Sequence, residues 1–167
     1  MKASLFALFV ALLMVGCGNE TPSSNAPQVI DLNDTKVLDK IIAEAIEEEM
    51  LQFRDMKGEE LAYAPNQQTP YSGWGKVTYD NGNIWRGNQY KDGKDDGSSM
   101  SWYDNGRKKW GTTYKDGKPM SIVVWKPNGE KCPASNLVNG NGVWVVYGDS
   151  GTEWYRSTYK NGELVDD

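Results

Sequence analysis

Turn signals recur along the second half of this chain at two interleaved beats, and that meter constrains its fold more than any other feature. Gly82, Gly106, Gly129 and Gly151 follow one another at 24, 23 and 22 residues; Gly93, Gly117, Gly140 and Gly162 repeat the same 24, 23 and 22. Each glycine of the second series lies 11 residues after one of the first. A fixed period of this length means copies of one supersecondary unit, here four. Most of these glycines follow Asn or Asp, a pairing that favours positive φ at both central turn residues and so matches the twist of flanking antiparallel strands. The stretches between are rich in Trp, Tyr, Val and Thr, which suit a pleated, half-buried surface. The expectation is a mainly β fold in which repeated β-hairpins form an antiparallel meander. With about eight strands spaced ~4.8 Å apart, the ribbon would be roughly 40 Å wide.

Upstream, Val37, Leu38, Ile41, Ile42, Ala45, Ile46, Met50 and Phe53 recur at three- and four-residue steps. With Asp34 or Thr35 as N-cap and Gly58 as terminator, they predict one amphipathic α-helix over residues 34–57. The acidic cluster Glu44, Glu47, Glu48 and Glu49 reads as its solvated face. The helix is expected to cover the more apolar strands Ile122 to Trp125 and Val143 to Tyr147. Residues 58–73 read as a lead-in and 74–167 as the repeat domain.

The N-terminus carries an export pattern: Lys2, an apolar run from Leu5 to Val15, then Gly16 and Cys17. Residues 1–16 form a signal peptide, too short for a mature membrane span. Met14-Val15-Gly16-Cys17 resembles the lipobox of bacterial lipoproteins. That resemblance implies cleavage before Cys17, acylation of its thiol and membrane attachment through the acyl chains, each buried methylene contributing about 0.8 kcal/mol. Residues 17–33, polar and rich in Ser, Asn, Thr and Pro, then serve as a flexible tether. Gly18 after the lipidated cysteine implies passage to the outer membrane rather than retention at the inner one.

Charge and composition narrow the chemistry. From Gly18 to Pro70 the chain carries 4 Lys/Arg against 11 Asp/Glu; from Tyr71 to Asp167 it carries 13 against 12. An acidic front and a near-neutral repeat region do not make a nucleic-acid surface. There is no histidine, which removes the commonest general base and metal ligand and points away from an enzyme. Gly148-Asp149-Ser150-Gly151 matches the nucleophile segment of chymotrypsin-like proteases superficially, but falls where sister units place turns and has no histidine to activate the serine. Asp92, Asp95 and Asp96 lack calcium-loop spacing and read as a solvated turn. No metal or cofactor is expected. Cys132 reads as a small apolar residue on a strand.

The repeat motifs Tyr79-Asp-Asn-Gly82, Tyr90-Lys-Asp-Gly93, Tyr103-Asp-Asn-Gly106, Tyr114-Lys-Asp-Gly117 and Tyr159-Lys-Asn-Gly162 resemble the bacterial variant of the MORN repeat, often labelled antitoxin-like. Leu61 to Gly73 is similar to the lead-in many such proteins carry. The resemblance implies a non-catalytic scaffold that binds a protein through its repeat sheet, with toxin neutralisation as one form of that role. All seven tryptophans fall in the repeats. Trp74, Trp85, Trp102, Trp110 and Trp125 are the candidate contact residues, for a protein partner or, alternatively, for cell-wall glycan stacked on exposed rings. The same rings at matching positions also read as cross-strand packing ladders.

Overall fold

A computed structural model describes residues 35–165; the expected signal peptide, Cys17 and the expected tether lie outside the described residues. The order of elements is helix α1 (Thr35–Glu44), a two-residue strand β1 (Ile46–Glu47), a 3-10 turn (Glu48–Met50), and a hairpin of β2 (Gln52–Met56) and β3 (Glu59–Tyr63). Then come β4 (Gly73–Thr78), β5 (Ile84–Lys91), β6 (Lys94–Trp102), β7 (Lys108–Lys115), β8 (Lys118–Val124), β9 (Gly142–Tyr147), β10 (Glu153–Lys160) and β11 (Glu163–Val165). The chain is mainly β, antiparallel and hairpin-built, with one helix ahead of the repeats.

The helix is less than half the length expected from the apolar spacing, which predicted 34–57. It stops at Glu44, the first of four closely spaced glutamates. Continuing would set Glu47 and Glu48 three and four positions after Glu44, as like charges on one helix face. Instead Gln52 to Met56 becomes a strand, and Lys57 and Gly58 (φ 62° and 86°) form a turn of the left-handed kind. Gly58 therefore reverses a hairpin rather than ending a helix. Glu48 is also not on a solvated face: its side chain is only 11% exposed and its carboxylate pairs with Arg86.

Strands β1-β4-β5-β6-β7-β8 form a six-stranded sheet, and β11-β10-β9 a three-stranded one. The second-series turns have both central residues at positive φ, as in Asp92-Gly93 (51°, 82°) and Asn161-Gly162 (53°, 76°). The first-series turns do not. There only the glycine is left-handed, and the Gly82 and Gly106 amides donate to the carbonyls of Tyr79 and Tyr103 at 2.8 and 2.9 Å. This is a type I turn followed by a glycine bulge. Consecutive first-series turns are tied together by side chains: Tyr79 Oη donates to the Trp102 carbonyl and Tyr103 Oη to the Trp125 carbonyl, both at 2.8 Å. Asn83 Nδ2 and Arg107 Nη1 do the same to the carbonyls of Asp104 and Pro127, both at 3.0 Å.

The expected unbroken ribbon is interrupted after β8. Residues 131–138 run between β8 and β9 and bond to both, with Cys132 N to Val124 O at 2.8 Å and Asn136 N to Val143 O at 2.9 Å, but they form only isolated bridges. Pro133 lacks an amide for the ladder. Ser135 Oγ fills in, accepting from the Val145 amide at 2.8 Å and donating to the Val145 carbonyl at 3.2 Å. Cys132 thus lies buried in an irregular segment rather than on a strand.

The helix does not cover the third and fourth units. Leu38 and Ile41 pack against Met100 and Trp102, as Trp74, Ile84 and Trp125 do, and Lys76 Nζ donates to the Ile42 carbonyl at 2.9 Å. Ile122, Val124 and Val145 are covered by Cys132 and Leu137 instead, with Trp110 and Trp144 alongside. The break in the ladder supplies that cover, because it frees residues 131–138 to fold inward.

Candidate functional site

The candidate tryptophans do not converge. Trp102 is buried, with Trp74 and Trp125 packed against it beneath the helix. Trp110 points to the opposite face: it opposes Ser101, whereas Met100 opposes Gly111, and neighbouring strand residues alternate faces. There Trp110 meets Trp144 edge-on at 5.5 Å between centroids, and Trp144 meets Tyr159 at 6.1 Å. Trp74, Trp102, Trp110 and Trp125 thus belong to the packing of the two faces. Of the five candidates only Trp85 is classed as exposed, at 39%.

Its exposure has a local cause. The β4–β5 register passes from Val77–Arg86 to Thr78–Ile84, so Trp85 is the extra residue of a bulge. Lys109 and Trp154 occupy equivalent bulges, skipped between Trp110 and Lys108 and between Tyr155 and Glu153. Each bulge residue lies three positions after a first-series glycine, Gly82, Gly106 or Gly151. A bulge residue is left out of the alternation and re-aimed.

Trp154 is the result: 78% of it is exposed, the highest value among the large exposed hydrophobic residues. Tyr155 is exposed next to it at 50%, while Leu164 and Val165, exposed at 53% and 41%, lie on β11 opposite Tyr159 and Thr158, further along β10. β11 is the last strand of its sheet and pairs only with β10. Among the described residues β11 covers only Thr158 to Lys160, so the outer edge of β10 at Trp154 and Tyr155 carries two exposed rings, with the Arg156–Glu153 ion pair at 2.7 Å next to them. The turn spacing did not single out Trp154 and Tyr155.

The polar groups that the sequence singles out are engaged in turns and ion pairs. Ser150 Oγ shares a hydrogen bond with Thr152 Oγ1 at 2.8 Å, and the Gly151 amide closes a turn on the Gly148 carbonyl at 2.9 Å. Asp96, expected in a solvated turn, is buried, and its Oδ2 accepts from Lys115 Nζ at 2.8 Å and from the Asp116 amide at 3.1 Å. Burial raises its pKa, but these two donors outweigh burial and leave it below the ordinary carboxylate range. Asp95 goes the other way: burial pushes it up, against the pull of Arg86. An open groove of about 350 Å³ beside Phe53 and Tyr90 is rimmed by Glu59, Glu60, Asp95 and Asp116, with Lys94 already 2.8 Å from Glu59. Among the described residues no group of three or more His, Cys, Asp or Glu is placed to hold a metal ion. No helix among them is long and apolar enough to cross a membrane.

Comparison with family models, with curated proteins and with solved structures finds no match for this chain.

Proposed function

We propose that this chain is a lipid-anchored, non-catalytic interaction module of the cell envelope, attached through Cys17 and built from MORN-like hairpin units. Its protein-binding surface is the outer edge of β10 at Trp154 and Tyr155. The observation that carries the reading is the exposure of Trp154 and Tyr155, 78% and 50%, beside an unpaired strand edge. Aromatic anchors of this kind dominate protein interfaces because they bury large area at small entropic cost. A photo-crosslinking residue at position 154, in intact envelopes, is expected to trap a discrete protein adduct that is absent when the same residue replaces Trp102. Adducts of equal yield at both positions, or at neither, reject the reading. Replacing Cys17 with Ser is expected to move the chain from the membrane to the soluble fraction.

A second reading, glycan binding, is favoured by the open face of the Trp154 ring, which suits stacking on a sugar. Co-sedimentation with purified cell-wall material that Trp154→Ala abolishes would support it, and unchanged co-sedimentation would count against it.

A further inference from the structure

The strand pairs joining the named strands are antiparallel except one. β1 lies parallel to β4, and the match is only two residues long, Ile46 opposite Gly75 and Glu47 opposite Lys76. Four of the six residues of β4 have no partner in this ladder. Residues 46–51 are held there by recognition rather than by pairing. Lys76 Nζ sits 3.5 Å from Glu47 Oε1, Arg86 takes the Glu48 carboxylate, and Leu51 enters a socket formed with Ala62, Tyr90, Ile46 and Tyr71. Gly75 provides the floor: a Cβ there would stand 3.0 Å from Glu48 Cγ and 2.8 Å from Tyr90 Cε2.

The fit is incomplete. Glu48 Oε1 and Arg86 Nε are both buried without a hydrogen-bond partner. A buried ion pair offsets its desolvation only when its remaining polar atoms are satisfied, and here one on each side is not. Short parallel pairing adds little. This edge therefore combines two cations, an apolar socket and strand residues beyond the two-residue ladder, the Trp74 carbonyl among them accepting from Tyr71 Oη at 3.0 Å, and it is occupied by a segment that uses it only partly.

We propose that the β4 edge is a strand-accepting surface for an extended acidic segment of a partner protein, and that residues 46–51 occupy it as an intramolecular substitute. The partner segment carries an apolar residue, two consecutive carboxylates and a further apolar residue three positions on, as Ile46, Glu47, Glu48 and Leu51 do. Lys76 and Arg86 read the carboxylates, and the length of β4 supplies pairing the substitute leaves unmade. This surface is separate from the one at Trp154 and its test needs neither anchor nor envelope.

The probe is a labelled synthetic peptide of residues 44–51, titrated into the purified full chain and into its Glu47→Gln/Glu48→Gln variant. A tethered segment competes at high effective concentration. The peptide is therefore expected to bind the variant at least ~10-fold more tightly than the unaltered chain, and a peptide with both glutamates changed to glutamine should lose at least ~10-fold. Amide exchange in β4 should speed up in the variant and slow again when the peptide is added. Retained protection of β6 and β7 shows that the variant is folded; if it is lost, Glu47→Gln alone is used. Equal peptide affinity for both proteins, no binding to either, or indifference to the peptide's charge overturns the proposal. So does a variant that is dimeric by light scattering with β4 still protected, since the occupant is then a second copy.

Discussion

Tyr79 donates its hydroxyl hydrogen to the main-chain carbonyl of Trp102, 2.8 Å away and 23 residues further along the chain. Tyr103, buried, repeats the bond 22 residues onward to Trp125. Lys126 takes the corresponding place in the next unit and lies 6.0 Å from the Tyr147 ring instead. The tie fails at the unit where the sheet divides.

Changing Tyr103 to Phe removes the bond and strands a carbonyl. The expected loss is about 1–2 kcal/mol in urea unfolding, with Tyr79→Phe at about 1 kcal/mol or less because it is more exposed. The two losses should not simply add, since Trp102 and Tyr103 are adjacent. No loss from Tyr103→Phe would show that the bond is not a structural tie.

Gly82 and Gly140 separate two costs. Both have positive φ, 84° and 74°, but a Cβ on Gly82 meets nothing within 4 Å, whereas on Gly140 it would stand 2.6 Å from the Gly162 amide nitrogen. Gly82→Ala is expected to cost about 1 kcal/mol from backbone strain alone. Gly140→Ala must also force two turns apart, and should cost at least ~2 kcal/mol more. Equal melting temperatures for the two variants would mean that the second-series turns are not in close register.

Asp95 and Asp96 predict opposite pH behaviour. Asp96 is held below its unfolded value, so its contribution is present above the ordinary carboxylate pKa and is lost as pH falls through the folded value. Asp96→Asn should therefore lower stability at pH 7 and matter less in acid. Asp95 is raised by burial, so its contribution is present below the unfolded value and is lost as pH rises through the folded one. Asp95→Asn should stabilise at pH 7 and be nearly neutral near pH 3. Unfolding curves at the two pH values check both signs, and the same direction for both variants at pH 7 contradicts the assignment.

Trp102→Ala is expected to cost about 3–5 kcal/mol, as for a large buried side chain, whereas Trp154→Ala should change stability by less than ~0.5 kcal/mol. Thermal melts distinguish them. A large loss from Trp154→Ala would place that ring in the core and remove it as a contact residue.

The hairpin array was legible because turn spacing is a local signal. The difference between the two turn geometries was not legible in the dipeptides, which hide it. Asn81-Gly82 and Asn161-Gly162 share the same two residues but differ in what precedes them, Asp80 against Lys160, and Pro127 in the third unit favours the first position of a type I turn. The helix overran because Ile46, Met50 and Phe53 fall at helical spacing by coincidence. The tell was Lys57-Gly58-Glu59-Glu60-Leu61, which parallels Asn161-Gly162-Glu163-Leu164. Ring exposure turned on a one-residue offset: Trp85 and Trp154 lie three positions after their glycines and bulge outward, whereas Trp110 lies four after Gly106 and packs inward. The β4 edge could not be foreseen, because it depends on a segment that the periodicity assigned to a helix.

The seam at residues 131–138 also bears on how the molecule assembles. Apart from β1 with β4, each named strand pairs with a neighbour in sequence, so ordering can spread from any one hairpin to the next without waiting for distant stretches to meet. Across the seam that spread has no ladder to follow and runs through scattered bonds, chiefly Ser135 Oγ to both main-chain groups of Val145 and Asn136 to Val143. The final three strands should accordingly join late, as a kinetic phase that slows in Ser135→Ala and is indifferent to Tyr79→Phe.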